Sequence, residues 1–150
     1  MNILTLRLSD FIPHSFIAEK EFYYCDIRGI ADLYGWQIIF FREKKSSETT
    51  AISMIDVFEN KQLLKFARKI IQKIGIGFDF GSKEDIIVDK YGHPNFTDKT
   101  FEGECKYNYV INDNLFISFS INDGLGFSGI EIIQNKSIIN EKIDFYLSAL

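Results

Sequence analysis

Apolar and polar positions alternate in two different rhythms along this chain, and the change of rhythm divides it. Leu63, Leu64, Phe66, Ala67, Ile70, Ile71 and Ile74 recur at the three- and four-residue spacing of one buried helix face. Asn60 stands where an N-cap would accept a free backbone N–H, and Gly75 stands where the left-handed C′ residue is needed. A second, shorter helix is expected over residues 83–91. Ser82-Lys83-Glu84-Asp85 resembles a capping box at its start, with Gly92 and Pro94 at its end. From residue 101 the rhythm becomes two. Phe101, Gly103, Cys105, Tyr107, Tyr109 and Ile111 alternate with Glu102, Glu104, Lys106 and Asn108. Asn112-Asp113-Asn114 and Asn122-Asp123-Gly124 read as turns, with strands at 115–121 and 127–133.

Upstream of the helices the pattern is also extended. Residues 2–8 alternate Leu4, Leu6 and Leu8 with Thr5 and Arg7, which predicts a strand. Residues 9–20, with Pro13 and His14, read as irregular connection. Strands are predicted at 22–30, 34–41 (with Gly35 as a bulge) and 49–58. A last helix, capped by Ser137, would bury Ile139, Ile143, Tyr146, Leu147 and Leu150. The fold class is therefore α+β, one domain over residues 1–150. Antiparallel β-meanders flank two central helices packed on one face of the sheet, and a short C-terminal helix follows. The meanders could form one continuous sheet or two halves of a pseudo-repeat.

The central run carries a resemblance. The stretch IGIGFDFGSKEDIIVDKYGHPN, followed by Tyr107, Tyr109 and Phe119 before the Asn122-Asp123-Gly124 turn, resembles the helix-loop-helix-plus-sheet unit of the SmpA/OmlA small outer-membrane lipoproteins. It is also similar to the repeat of the β-lactamase inhibitor proteins. The matching positions are Gly77, Ser82, Lys83, Val88, Tyr91, Gly92, Pro94, Tyr107, Tyr109 and Phe119, about half the chain from residue 60 to 134. The lipoproteins carry an export signal and a lipidated cysteine that this sequence does not display. The inhibitor proteins imply a sheet face used to bind an enzyme.

Size and charge narrow the function classes. A chain of 150 residues buries about 68–70% of its unfolded surface, enough to fold without disulfides or metal. The N-terminus lacks a basic segment followed by an apolar run, and no apolar stretch approaches membrane-spanning length, so a cytoplasmic protein is expected. The net charge of −4 is uneven: residues 59–74 carry +4, residues 75–150 carry −6. That acidity disfavours nucleic acid and suits a basic protein partner. Lys61, Lys65, Lys69 and Lys73 form a basic stripe on the first helix. It reads as a solvated face or as a docking stripe for an acidic surface or for phosphate, which would make the chain a structural or scaffold domain.

Catalytic motifs do not emerge. Gly75-Ile76-Gly77 follows a helix, whereas a dinucleotide loop precedes one. Asp79-Phe80-Gly81 matches a kinase triplet without the accompanying kinase loops. His14, Cys25, His93 and Cys105 lack zinc-site spacing, and no cofactor is implied. Cys25 and Cys105 read as small buried residues in strands, able to pair only if those strands are neighbours. Glu102 and Glu104 share one strand face, which suits solvent or, if one is buried, acid–base work. The sheet face opposite the helices is expected to present Glu102, Glu104, Phe116, Phe127 and Glu131, an acidic and aromatic surface. The leading expectation is a non-enzymatic inhibitor that occludes a basic enzyme or toxin, a nuclease for instance. By type it resembles the immunity proteins of bacterial toxin systems. The alternative is a small enzyme or ligand-binding domain, with a pocket between sheet and helices that uses Cys105 or His93.

Overall fold

The computed structural model describes residues 1–16, 23–26 and 29–149, and describes 23–26, 100 and 101 by backbone alone. The strands are β1 (Tyr23–Asp26), β2 (Gly29–Tyr34), β3 (Ile38–Glu43), β4 (Thr49–Met54), β5 (Phe96–Phe101), β6 (Glu104–Asn112), β7 (Leu115–Asn122) and β8 (Gly126–Ile133). Helices α1 (Lys61–Ile74) and α2 (Glu84–Tyr91) separate β4 from β5, and α3 (Lys136–Ser148) follows β8. All eight strands form one antiparallel sheet in the order β1-β2-β3-β4-β8-β7-β6-β5. Two four-stranded meanders therefore meet where β4 pairs with β8, and the α1–α2 segment carries the chain from the middle of the sheet to its outer edge. Of the two arrangements open to the sequence, the continuous sheet is the one formed.

The central helices follow their pattern. Leu63, Phe66, Ala67, Ile70, Ile71 and Ile74 of α1 are buried. Asn60 Oδ1 accepts the Leu63 N–H at 2.8 Å, and Gly75 at φ 85° closes the helix. In α2 only Ile87 is fully buried, and Lys83, not Ser82, occupies the N-cap without a side-chain bond. The Ser82 hydroxyl donates instead to the Asp79 carbonyl at 2.7 Å, so the expected capping box does not form. Both helices pack on one face of the sheet, over Ile38, Phe40, Ile52, Met54, Ile117, Phe119, Phe127, Ile130 and Ile132.

The loop between α1 and α2 is part of this core. Its Phe78 ring lies 5.5 Å from both Phe119 and Phe127, and Phe80 stacks on Phe127 at 4.4 Å. Asp79 Oδ1 accepts from the Phe80 N–H and pairs with Arg68 Nε at 3.0 Å. The loop backbone bonds to β8 through Gly81 N–H to Phe127 O and Phe127 N–H to Ser82 O. The Asp-Phe-Gly triplet is thus a structural clasp.

The N-terminal half departs from its pattern. Residues 2–8 are not a strand. They turn into a 3₁₀ segment at Leu8–Asp10 that buries Ile3, Leu6, Leu8 and Ile12 against the helix face of the sheet. Arg7 Nη1 holds the turn by donating to the carbonyls of Leu4 and Leu6 and to Thr49 Oγ1. Gly35, at φ 55°, makes the β2–β3 turn instead of a bulge, so the strand expected at 34–41 begins at Ile38. The strand expected at 49–58 ends at Met54. The strand expected at 22–30 corresponds to β1 and the start of β2, and residues 17–22, 27 and 28 lie outside the described residues. A strand the pattern did not reveal, β5, precedes β6 as the outer edge.

α3 packs on the opposite face. Ile139 is buried there with Ala51, Phe116 and Ile133, and Ile138, Ile143 and Tyr146 pack around them. Its N-cap is Asn135, whose Oδ1 accepts the Ile138 N–H at 3.0 Å; Ser137 lies inside the helix. Leu147, expected to be buried, is exposed, and Leu150 lies outside the described residues.

Candidate functional site: an acidic cleft at one end of the sheet

The sheet face expected to bind a partner is closed. Phe116 is 0% exposed beneath α3, with Lys142 Nζ 5.9 Å from its ring centroid. Glu131 lies on the same face and pairs with Lys142 Nζ at 2.7 Å. Asn108, Ser118 and Ser120 are buried on that face, and Tyr146 reaches over to Asn108 and stacks on Phe96 at 5.1 Å. Phe127 is also 0% exposed, but in the other core. The register explains this. Gly129 pairs with Ser120, yet Phe127 pairs with Ile121, so β8 contributes one extra residue, Ser128, at a bulge. The bulge reverses the face of Phe127 and turns it toward the helices. Phe116 and Phe127 therefore belong to cores, and the aromatic part of the expected surface is corrected.

Glu102 and Glu104 are placed differently. Glu102 is exposed in the β5–β6 turn, next to Gly103, whose carbonyl accepts the Asp123 N–H at 2.9 Å. Glu104 lines a cleft of about 540 Å³ with Trp36, Asp56, Phe58, Glu59, Asn122, Leu125 and Ser128. The cleft is built by three segments. The β2–β3 turn carries Trp36, the loop after β4 carries Asp56, Phe58 and Glu59, and the ends of β6, β7 and β8 supply the rest.

The geometry is fixed by local bonds. The buried Gln37 donates through Nε2 to Glu59 Oε2, and its Oε1 accepts the Trp36 N–H at 3.3 Å. One amide thereby ties the tryptophan turn to the loop after β4. Val57 N–H donates to Ser128 O at 3.3 Å and holds the same loop against the bulge. Asn122 Oδ1 accepts from the N–H groups of Gly124 and Leu125, which orders the β7–β8 turn. Trp36 is 55% exposed and Leu125 50%. No Lys, Arg or His lines the cleft, and among the described residues the carboxylates of Asp56 and Glu104 make no ion pair or hydrogen bond. Glu102 and Asp123 lie in the turns that adjoin the lining residues Glu104 and Asn122 and add to the acidic character of this end of the sheet.

Sequence reasoning found Glu102 and Glu104 here and missed Trp36, Asp56, Glu59 and Leu125. Trp36, Asp56 and part of their surroundings were read as strand interior. The available signal was Gly35 before the only tryptophan, which suits a turn as well as a bulge.

Little supports nucleophilic chemistry at the residues considered for it. Burial pushes the Cys105 thiol up; Lys99 opposes this, and Glu84, Asp98 and Asp123 add to it. Its Sγ donates to its neighbour's carbonyl, Lys106 O, at 3.9 Å. His93 is exposed after α2, and His14 is exposed in a 3₁₀ turn. The side chain of Cys25, and any disulfide to it, lie outside the described residues. Between sheet and helices, where the alternative reading puts a pocket, Phe78, Tyr91, Tyr109, Phe119 and Phe127 pack ring against ring. Among the described residues no helix is long and apolar enough to cross a membrane, and no cluster of His, Cys, Asp and Glu could hold a metal ion. Compared with known proteins, the chain matches no family model, no curated protein and no solved structure.

Proposed function

We propose that this protein is a non-enzymatic inhibitor that neutralises a basic partner enzyme or toxin by occlusion, in the manner of an immunity protein. The observation that carries the reading is Trp36, exposed beside the carboxylates of Asp56, Glu59 and Glu104 in one cleft. Tryptophan is enriched among residues that dominate binding energy, and unneutralised carboxylates steer and select a cationic surface. Glu102 and Asp123 in the adjoining turns enlarge the acidic footprint. The net charge of −4 acts in the same direction at long range. A nuclease is a natural partner, because a protein surface that binds phosphate is rich in Lys and Arg. The order of α1 and α2 followed by a meander is the unit on which the likeness to the β-lactamase inhibitor proteins rests, and it is compatible with an inhibitory role.

The test is capture from the source cell with the tagged native chain, run beside a Trp36→Ala/Glu104→Lys variant. One stoichiometric protein partner, lost in the variant while the fold is retained, is the expected result. Equal capture by native and variant chains would remove the cleft from the interface.

A further inference from the structure

We infer that the cleft is a socket for a single arginine side chain presented by a protein. The inference rests on the inhibitor reading for the source of the arginine, and on the cleft itself for its chemistry.

Four features select a guanidinium. Trp36 offers an indole face, the strongest cation–π acceptor among side chains, and Arg also stacks on aromatic planes. Asp56 and Glu59 from the loop after β4 and Glu104 from β6 supply carboxylates, with no basic residue among the lining positions. Glu59 is already oriented by Gln37, so one of its oxygens is held in place before any ligand arrives. Ser128 adds the fourth. It is 8% exposed as a residue and lines the cleft, and its hydroxyl makes no hydrogen bond to any described residue, which leaves its oxygen able to accept from a ligand. A guanidinium has five N–H donors in one plane, enough for several carboxylate oxygens and a serine oxygen at once, whereas an ammonium has three donors around one point. The volume of about 540 Å³ exceeds one side chain and leaves room for the backbone that bears it.

Trp36 is the only tryptophan, so its fluorescence reports the cleft directly. The native chain is titrated with the peptide Gly-Arg-Gly, capped at both ends, and with the same peptide carrying citrulline, the uncharged isostere. Further arms use the lysine peptide and agmatine, a guanidinium without flanking backbone. A saturable change with the arginine peptide is expected, with dissociation on the order of millimolar for so small a ligand. Citrulline should give no saturable change. Lysine and agmatine should bind several-fold more weakly. Glu104→Gln and Ser128→Ala, each checked for an unchanged circular dichroism spectrum, should weaken the arginine peptide by about 3- to 10-fold.

No saturable change with the arginine peptide, or an equal one with citrulline, overturns the socket. Equal binding of lysine overturns the guanidinium assignment, and tighter binding of agmatine overturns the protein source. Arginine-specific binding with no protein captured from the cell would retain the socket and remove the inhibitor reading. Capture of a partner without any arginine response would do the reverse.

Discussion

Phe127 pairs with Ile121 across β7 and β8, where an unbroken ladder would set it opposite Asn122 on the other face of the sheet. One inserted residue thus decides two things. The Phe127 ring joins Phe78, Phe80 and Phe119 in the core, and Ser128 is left to line the cleft. Removing the ring should unfold the protein rather than disarm a surface. Phe127→Ala is expected to cost about 3–5 kcal/mol, read from urea denaturation. A loss below about 1 kcal/mol would contradict the burial described here.

Phe116→Ala should also act through stability, because its ring supports α3. The expected loss is again about 3–5 kcal/mol. Since α3 covers that ring, the far-ultraviolet helix signal should fall in the variant at temperatures where the rest of the chain still melts cooperatively.

Gly126 sits at φ 74°, and a Cβ there would come within 2.6 Å of Gly81 O and 2.7 Å of Ser82 O. Neither obstacle is a flexible side chain. Both carbonyls belong to the clasp between the interhelical loop and β8, so relief would separate those segments. Gly126→Ala should destabilise by about 2–4 kcal/mol, combining a strained backbone with overpacking. Gly124→Ala in the same turn, where the nearest atom is the Asn122 side chain at 3.6 Å, is the control and should cost much less.

The alkaline limb of the stability curve should carry the signature of Tyr107. Its hydroxyl donates to Glu84 Oε2 at 2.8 Å, and that bond, with smaller help from burial and the Glu84 charge, pushes its pKa from 10.0 up to about 12. The folded state thus holds the phenolic proton more tightly than the unfolded state. The contribution is complete below pH 10 and is lost as pH rises through 12. Tyr107→Phe should flatten that window of melting temperature against pH. Burial also raises Tyr91, Tyr109 and Tyr146, so part of the slope should remain.

Glu104→Lys should leave the melting temperature within a few degrees, because the carboxylate makes no hydrogen bond or ion pair among the described residues. It should nevertheless abolish capture of a basic partner. A large stability loss in this variant would mean that Glu104 serves the fold.

Where one periodicity runs unbroken, the elements were legible. α1 shows its buried face, cap and stop in the order of its letters, and the two Asn-rich turns fix the ladder of β6, β7 and β8. What failed was parity and cover. A bulge shifts the face of every residue on one side of it, and no letter marks Ser128 as the extra residue. Cover depends on α3, whose weakly amphipathic sequence does not announce which side of the sheet it will take. Residues 2–8 alternate like a strand but are drawn into a turn by Arg7 and Thr49, a contact between distant parts of the chain. The cleft was half legible for the same reason. Glu104 follows from strand alternation, whereas Trp36, Asp56 and Glu59 come from turns that the β3–β4 pairing brings together, and they meet Glu104 only after β4 and β8 have paired.

That pairing sets a timetable for the newborn chain. β4 is made early, but its outer partner β8 lies about 80 residues further on, a separation of the kind that slows folding. While the ribosome completes α1, α2 and the second meander, β4 presents a bare edge of Thr-Thr-Ala-Ile-Ser-Met to solvent or to another copy of itself. The early meander should therefore wait for its partner strand, and chaperone demand should rest on how long that one edge stays open.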